Sequence, residues 1–459
     1  MDTPNVGAPG LEAFGYKQEL KRSLRVRDLF AYGLAMISPI APIAVYGFVF
    51  NAAHGMVPLV YIIGLVAMAF TAWSYISMAK AMPIAGSVYT YAGRSMGPAA
   101  GFIAGWVMLL DYMLVPSLMY LLTAVALAAI IPGVPKWVWI AGMLAVNGAS
   151  NLSGMENTTR VSLILTIFQV VYFVALVVLG VSGALNGVNG AHFTTTPFFN
   201  PEVFSVATMF SALSIAVLSF LGFDAVSTLA EEAKEGGRAV GKATALLLPV
   251  ATLLFVIQTY IMGLFLPGVT ELAPGDATDA AGYNVGGFIG GTPMKVMASL
   301  MGGAFATFLS AVTAQAAAAR LMFGMARDRK LPAALAHVSH GRKVPDRAIL
   351  LSMLIAIGLM IAFGDRIDTL ASMVNFGALT GFICVHLSVI AHFIVKNKDP
   401  RWGRYLAAPV VGLAIIAYVL WNMDVVAKTT GLVWLGLGVV WMVVTKMTGK
   451  KIEPLMEGP

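Results

Sequence analysis

Charge is what this chain has least of. Asp, Glu, Lys and Arg make up 11% of its 459 residues, whereas a soluble domain carries about a quarter. Hydrophobic residues reach 59% and the mean hydropathy is +0.83. This excludes an ordinary soluble globule and implies an integral membrane protein. Cysteine is nearly absent: with Cys384 alone, no intrachain disulfide can form, and redox chemistry is silent on compartment. No Gly-x-x-x-x-Gly-Lys-Ser/Thr stretch occurs, so the chain has no ATP drive of its own. No His-Glu-x-x-His or Ser/His/Asp cluster is present, so no enzyme is expected. His337 and His340 stand in a basic loop without a Cys or acidic ligand set, so neither metal nor cofactor is expected. The first 27 residues carry Lys17, Lys21, Arg22, Arg25 and Arg27 and lack the apolar core of a secretory leader, so no cleaved signal is expected.

What is there is a series of apolar runs, near 28–51, 58–79, 98–130, 137–153, 161–184, 204–230, 241–267, 293–323, 348–363, 370–395, 405–421 and 430–446. Most approach the ~20 residues that cross a hydrocarbon core, which predicts twelve spanning helices. The runs 137–153, 348–363 and 405–421 are the shortest. With the N-terminus inside, only Lys136, Lys295, Arg366 and Lys428 of the 29 basic residues fall in outer loops. That asymmetry puts both termini in the cytoplasm. It also accounts for the net charge of +7 through contact with anionic lipid headgroups, without nucleic acid. The sequons at Asn151 and Asn157 are then chance matches on the inner side.

Two spans are interrupted. The first contains ISPIAPIAVYG (37–47), where Pro39 and Pro42 remove backbone donors and clash with the preceding turn. The sixth contains SFLGFDAVST (219–228), where Ser219, Gly222 and Asp224 break an apolar run and glycine tolerates a non-helical backbone. Freed amides and carbonyls persist in a membrane only where they are buried in protein or line a cavity. Interrupted spans in corresponding positions of two halves point to a transporter's binding site.

Several stretches carry a resemblance. These are MPIAGSVYTYAGRSMGP (82–98), GFIAGWVMLLDYMLVP (101–116), SFLGFDAVSTLAEE (219–232), AARLMFGMARDRKLP (318–332) and NFGALTGFICVHLSV (375–389). The chain resembles the amino acid/polyamine/organocation (APC) permease superfamily, and within it the bacterial putrescine-importer-like permeases. The resemblance implies a LeuT-type all-α membrane fold: a cytoplasmic segment 1–27, inverted five-helix repeats at 28–184 and 204–395, two further helices at 405–446 and a cytoplasmic tail 447–459. It also implies alternating access for a small amine-bearing solute, in a bacterial inner membrane. Three departures bear on chemistry. Ser38-Pro39-Ile40-Ala41-Pro42 lacks the glycine-rich break whose amides hold a substrate carboxylate in amino acid permeases. Gln169 stands where some proton-coupled members carry a lysine, and Ala44 where putrescine importers have an acid.

The candidate substrate-binding residues are Ser38, Pro39, Ile40, Ala41 and Pro42 in the first break, Ser219, Phe220, Gly222 and Asp224 in the second, and Asp111 in the third span. Asp111 lies 13 residues beyond Pro98, about 20 Å into the membrane at 1.5 Å per residue. Intramembrane acids are costly and functional by default, though many are simply paired. Phe220 offers a ring to an ammonium group or plain packing. Asp224, Asp111 and Gln169 are the coupling candidates. Ser310 and Thr313 resemble sodium-site hydroxyls, but such hydroxyls are common at membrane helix interfaces. Gly97, Gly101 and Gly105 form a smooth packing face, and Glu231 and Glu232 are gate or loop residues. The expected function is secondary import of a cationic amine, polyamine or amino acid, proton-coupled. An exchanger of the same fold and a neutral amino acid permease stay open as alternatives. A channel would need a continuous polar lining, which the few buried acids do not supply.

Overall fold

The structure is a computed structural model that describes residues 24–82, 87–153, 158–230, 233–327, 330–339, 344–364 and 366–447. The expectations placed on residues 1–23, on Asn157, Glu231, Glu232 and His340, and on the tail beyond 447 lie outside the described residues. The chain is helical. Among the described residues the one β-type pairing is an isolated bridge between Leu24 and Ala233.

The first apolar run is two helices, α1 (Val26–Ile37) and α2 (Pro42–Ala52), bent by 56°. Then come α3 (Val57–Ala81), a short α4 (Ser87–Met96), α5 (Pro98–Ala128), α6 (Lys136–Ser153) and α7 (Thr158–Leu185). The sixth run starts as α8 (Val206–Ala216), tightens into a 3₁₀ turn at Val217–Phe220, and resumes as 3₁₀ at Asp224–Leu229. The second half continues with α9 (Gly237–Leu264), α10 (Asp276–Asp279), α11 (Ala281–Ala298) and α12 (Ala306–Arg327). It closes with α13 (Asp346–Phe363), α14 (Ile367–Val389), α15 (Ala408–Asn422) and α16 (Val425–Met447).

All twelve apolar runs fall on helices. Nine helical stretches among the described residues are long and apolar enough to cross a bilayer, and a tenth if α1 and α2 count as one span. Of the three shortest runs, those in α13 and α15 meet that standard and α6 does not; α8 with its 3₁₀ turn is also short.

Burial sorts these helices into a centre and a rim. In α5, 83% of the most apolar window is buried, against 22% in α13 and 17% in α16, so α5 is the central post and α13 and α16 lie at the rim. Trp106 of α5 and Trp434 of α16 stack at 4.6 Å between ring centroids. Each indole N–H donates to the other residue's carbonyl, at 2.8 and 2.9 Å. This reciprocal clasp docks a rim helix on the post. Gly101 and Gly105 do let α4 approach, at Gly93 and Tyr89. Gly97 departs from the expected packing face: it has no neighbour within 4 Å of where a Cβ would sit and is the α5 N-cap, at φ +104°.

On one side the stretch before α11 is fastened to α2. Asn51 donates to Leu272 O at 3.0 Å and to Thr278 Oγ1 at 3.1 Å, and accepts from Leu272 N at 2.7 Å. At the opposite end Lys234 N donates to Leu24 O at 2.9 Å.

Candidate functional site

The two interruptions meet. α1 stops at Ser38, whose φ of +65° is foreign to a helix, while its N–H still reaches Leu34 O. Pro39 follows with no donor. Pro42 turns out not to break anything: it is the first residue of α2, where the missing N–H would be an orphan anyway. In the sixth run Gly222 takes φ +112°, and a Cβ there would sit 3.1 Å from the Met36 carbonyl carbon and 3.3 Å from Ile37 N. Glycine is therefore needed twice over, for its backbone angle and for the close approach of α1.

The carbonyls freed by the breaks are taken by side-chain amides from other helices. Gln258 of α9 donates to Pro39 O at 3.0 Å. Asn375 of α14, wholly buried, donates to Ser214 O at 2.6 Å and Ile215 O at 3.2 Å, where α8 gives way to 3₁₀. Neither residue was singled out from sequence. The signal was a lone carboxamide within an apolar run, in FVIQTYIMG and MVNFGALTG. Of the five break residues in the first run, Ile40 alone has an amide with no hydrogen-bond partner among the described residues: Ser38 and Ala41 bond backbone carbonyls and the prolines have none to give.

The predicted site residues divide accordingly. Ser38 is buried and donates through Oγ to Gln169 Oε1 of α7 at 2.8 Å, so the proposed coupling position touches the first break directly. Ile40 packs its side chain near Gly302, and Ala41 caps α2. Ser219 bonds Tyr61 of α3 at 2.8 Å. Phe220 is fully buried between Tyr61 and Phe255, at centroid distances of 5.8 and 5.5 Å. Both belong to the wall against α3 and α9. Ser310 and Thr313 return to carbonyls of their own helix, Ala306 O and Leu309 O.

The acids come together. Asp224 is half-buried and accepts the Gly222 amide at 3.2 Å, a short turn that closes the second break. Asp111 is 5% exposed, and no described residue makes a hydrogen bond or ion pair with it; Oδ1 is wholly cut off from solvent. Gly377 of α14 lies against its backbone, where a Cβ would meet Asp111 N at 2.7 Å. Both acids lie against α14: Gly377 packs on the Asp111 backbone, and the ring of Phe223, the residue before Asp224, packs on Phe382. Beside them Tyr75, Phe223 and Phe382 form a ring trio, with centroids 5.6 to 5.9 Å apart. A buried carboxylate without a partner is expensive. What would satisfy it is positive charge, and aromatic faces nearby attract the same ligand. Among the described residues no group of His, Cys, Asp and Glu could hold a metal ion.

Residues 30–444 match the family model described as amino acid permease. The chain is 30% identical over 430 residues to the low-affinity putrescine importer PlaP of Escherichia coli (strain K12), covering 92% of this chain and 93% of that one. It is 28% identical over 462 residues to the branched-chain amino acid permease BcaP of Bacillus subtilis (strain 168), covering 92% and 93%. It is also 26% identical over 408 residues to the vacuolar cationic amino acid transporter 2 of Arabidopsis thaliana, covering 83% and 61%. The chain therefore belongs to the amino acid permease family of the APC superfamily: it is a multi-pass membrane transporter of amino acids or amines and not an enzyme.

Proposed function

We propose that this protein imports a small cationic amine, polyamine or cationic amino acid across a bacterial inner membrane, by alternating access and with protons as the driving ion. The reading includes twelve spans with both termini cytoplasmic. The runs 28–184 and 204–395 are inverted repeats, with α15 and α16 added outside them.

The observation that carries it is the buried, unpartnered Asp111 beside Asp224. A buried acid with no partner among the described residues needs positive charge from elsewhere. In this scheme either a proton or the substrate's ammonium supplies it, which ties loading of one to loading of the other. The break of the first span supports the same preference, because the Ile40 amide is a meagre cradle for a carboxylate. The low-affinity putrescine importer among its relatives is in keeping with an amine cargo. Gln169, bonded to Ser38, is a relay that reports the state of the first break to α7 rather than a proton carrier, since a carboxamide does not titrate.

Proteoliposomes with an imposed pH gradient test the proposal. Accumulation of a labelled diamine that collapses with a protonophore and ignores sodium is the expected result. Accumulation that needs sodium and survives the protonophore would reject proton drive.

A further inference from the structure

Away from the acids, at the end of the bundle where α12 ends and α13 begins, a cleft of about 50 Å³ opens between α6, α12 and α13. Its two polar residues are Arg320 and Asn151; Ala316, Ala319, Pro345 and Ile349 supply most of the rest. Arg320 is exposed and forms no ion pair or hydrogen bond with any described residue. It lies seven positions before the last residue of α12, roughly 10 Å short of the helix end at 1.5 Å per residue. A guanidinium at that depth reaches out along its stem toward the headgroup layer. Asn151 is buried and held in place by Gln315 Oε1 and Asn147 Oδ1, each at 2.8 Å. Behind it Gln315 is 1% exposed, with an Nε2 that has no acceptor. Both Asn151 N–H groups are thus already donated, and Arg320 is the side-chain donor left to face the cleft. The carboxylate next to it, Asp346, is engaged by His337 at 2.7 Å and by the Arg347 amide at 2.8 Å.

Further along the same helices, beyond the cleft, the exposed surface is apolar. Val146 of α6 is 54% exposed, and Leu350 and Leu354 of α13 are 49% and 65% exposed. The surface is therefore cationic at the helix ends and apolar toward the middle of the same helices. That is the complement of an amphiphile with an anionic head and hydrocarbon tails, and a free phosphate would use only half of it. We infer that this cleft binds the phosphate of an anionic phospholipid, with Arg320 as its charge partner and the exposed face of α6 and α13 along its chains. Arginine suits the role because its planar fork bonds two phosphate oxygens at once.

The test uses the full chain in nanodiscs of equal phosphatidylglycerol and phosphatidylcholine, followed by native mass spectrometry of retained lipid. The parent should keep phosphatidylglycerol in preference to phosphatidylcholine. Arg320→Gln should lower that retention roughly tenfold, the equivalent of about 1.4 kcal/mol, and Arg320→Lys should fall between the two. Ala316→Leu fills the cleft without touching the charge, and should lose the lipid as well. Equal retention by the parent and Arg320→Gln would overturn the inference. So would retention by Ala316→Leu alongside loss in Arg320→Gln, which would mean charge attraction at an open surface. A thermal shift of the parent with inorganic phosphate alone, absent in Arg320→Gln, would assign the site to a soluble anion and contradict the lipid.

Discussion

At the scale of single residues, the site depends on a few atoms that have no substitute. Gly222 combines a left-handed backbone with contact to α1, so Gly222→Ala should cost about 1–3 kcal/mol for the strained conformation alone. Thermal unfolding in detergent would register this as a lower midpoint. Gly324, with open space around it in α12, is the control: alanine there should leave stability unchanged or slightly raise it. Gln258→Leu and Asn375→Leu each strand buried carbonyls, a loss of about 1–3 kcal/mol per unsatisfied group. Both should lower the midpoint, and a wild-type midpoint in either would show that the breaks do not rely on them. How much of this was legible follows from chemistry. Asp111 and Asp224 announce themselves, because a charge in an apolar run has few innocent explanations. Gln258 and Asn375 do not. A neutral amide is tolerated in many membrane helices, and its meaning comes from a carbonyl over a hundred residues away in sequence.

At the scale of elements, proline and glycine marked where helices stop but not how each stop is built. Pro39 and Gly222 lie in the interruptions, as a missing donor and a permissive backbone dictate. Pro42 begins the next helix instead, a distinction that depends on where the preceding turn closes. Ser219 and Phe220 sit in the broken segment yet turn to α3 and α9, because a 3₁₀ turn points successive residues in directions that no 3.6-residue pattern anticipates. The clasp between α5 and α16 was likewise invisible, since two tryptophans far apart in sequence carry no mutual signal. Trp434→Phe keeps the stacking and deletes one N–H, removing about 1 kcal/mol. Limited proteolysis at the α15–α16 turn should then cut faster than in the parent. An unchanged cleavage rate would mean that the stacked rings alone hold α16.

At the scale of the whole molecule, the account is of two broken helices in contact, pinned by carboxamides, with a pair of acids beside them. The twelve apolar runs were legible because a bilayer admits little else than helices of that length. The inverted-repeat arrangement proposed for them is a matter of symmetry that hydropathy alone does not carry. The pH dependence of uptake is informative because one loop contact stays out of the way. Between α14 and α15, Arg401 bonds Asp399 and holds its carboxyl down to about 2. A depressed carboxylate contributes stability above its unfolded value of about 4, and loses it only as pH falls through about 2. That contact is constant from pH 5 to 8; in the proposed scheme a change of uptake in that window comes from the intramembrane acids, and it should flatten in Asp111→Asn, which keeps residual binding. A profile unchanged in Asp111→Asn would place coupling elsewhere.

The central claim is that the paired acids hold the substrate's positive charge, and equilibrium binding tests it without transport. Purified parent protein should bind a diamine more tightly than a zwitterionic amino acid of similar size. Asp224→Asn, folded and monodisperse, should abolish diamine binding, and Asp111→Asn should weaken it at least tenfold, about 1.4 kcal/mol. Tight binding of the zwitterion, unaltered by either substitution, would contradict the account and make both carboxylates structural.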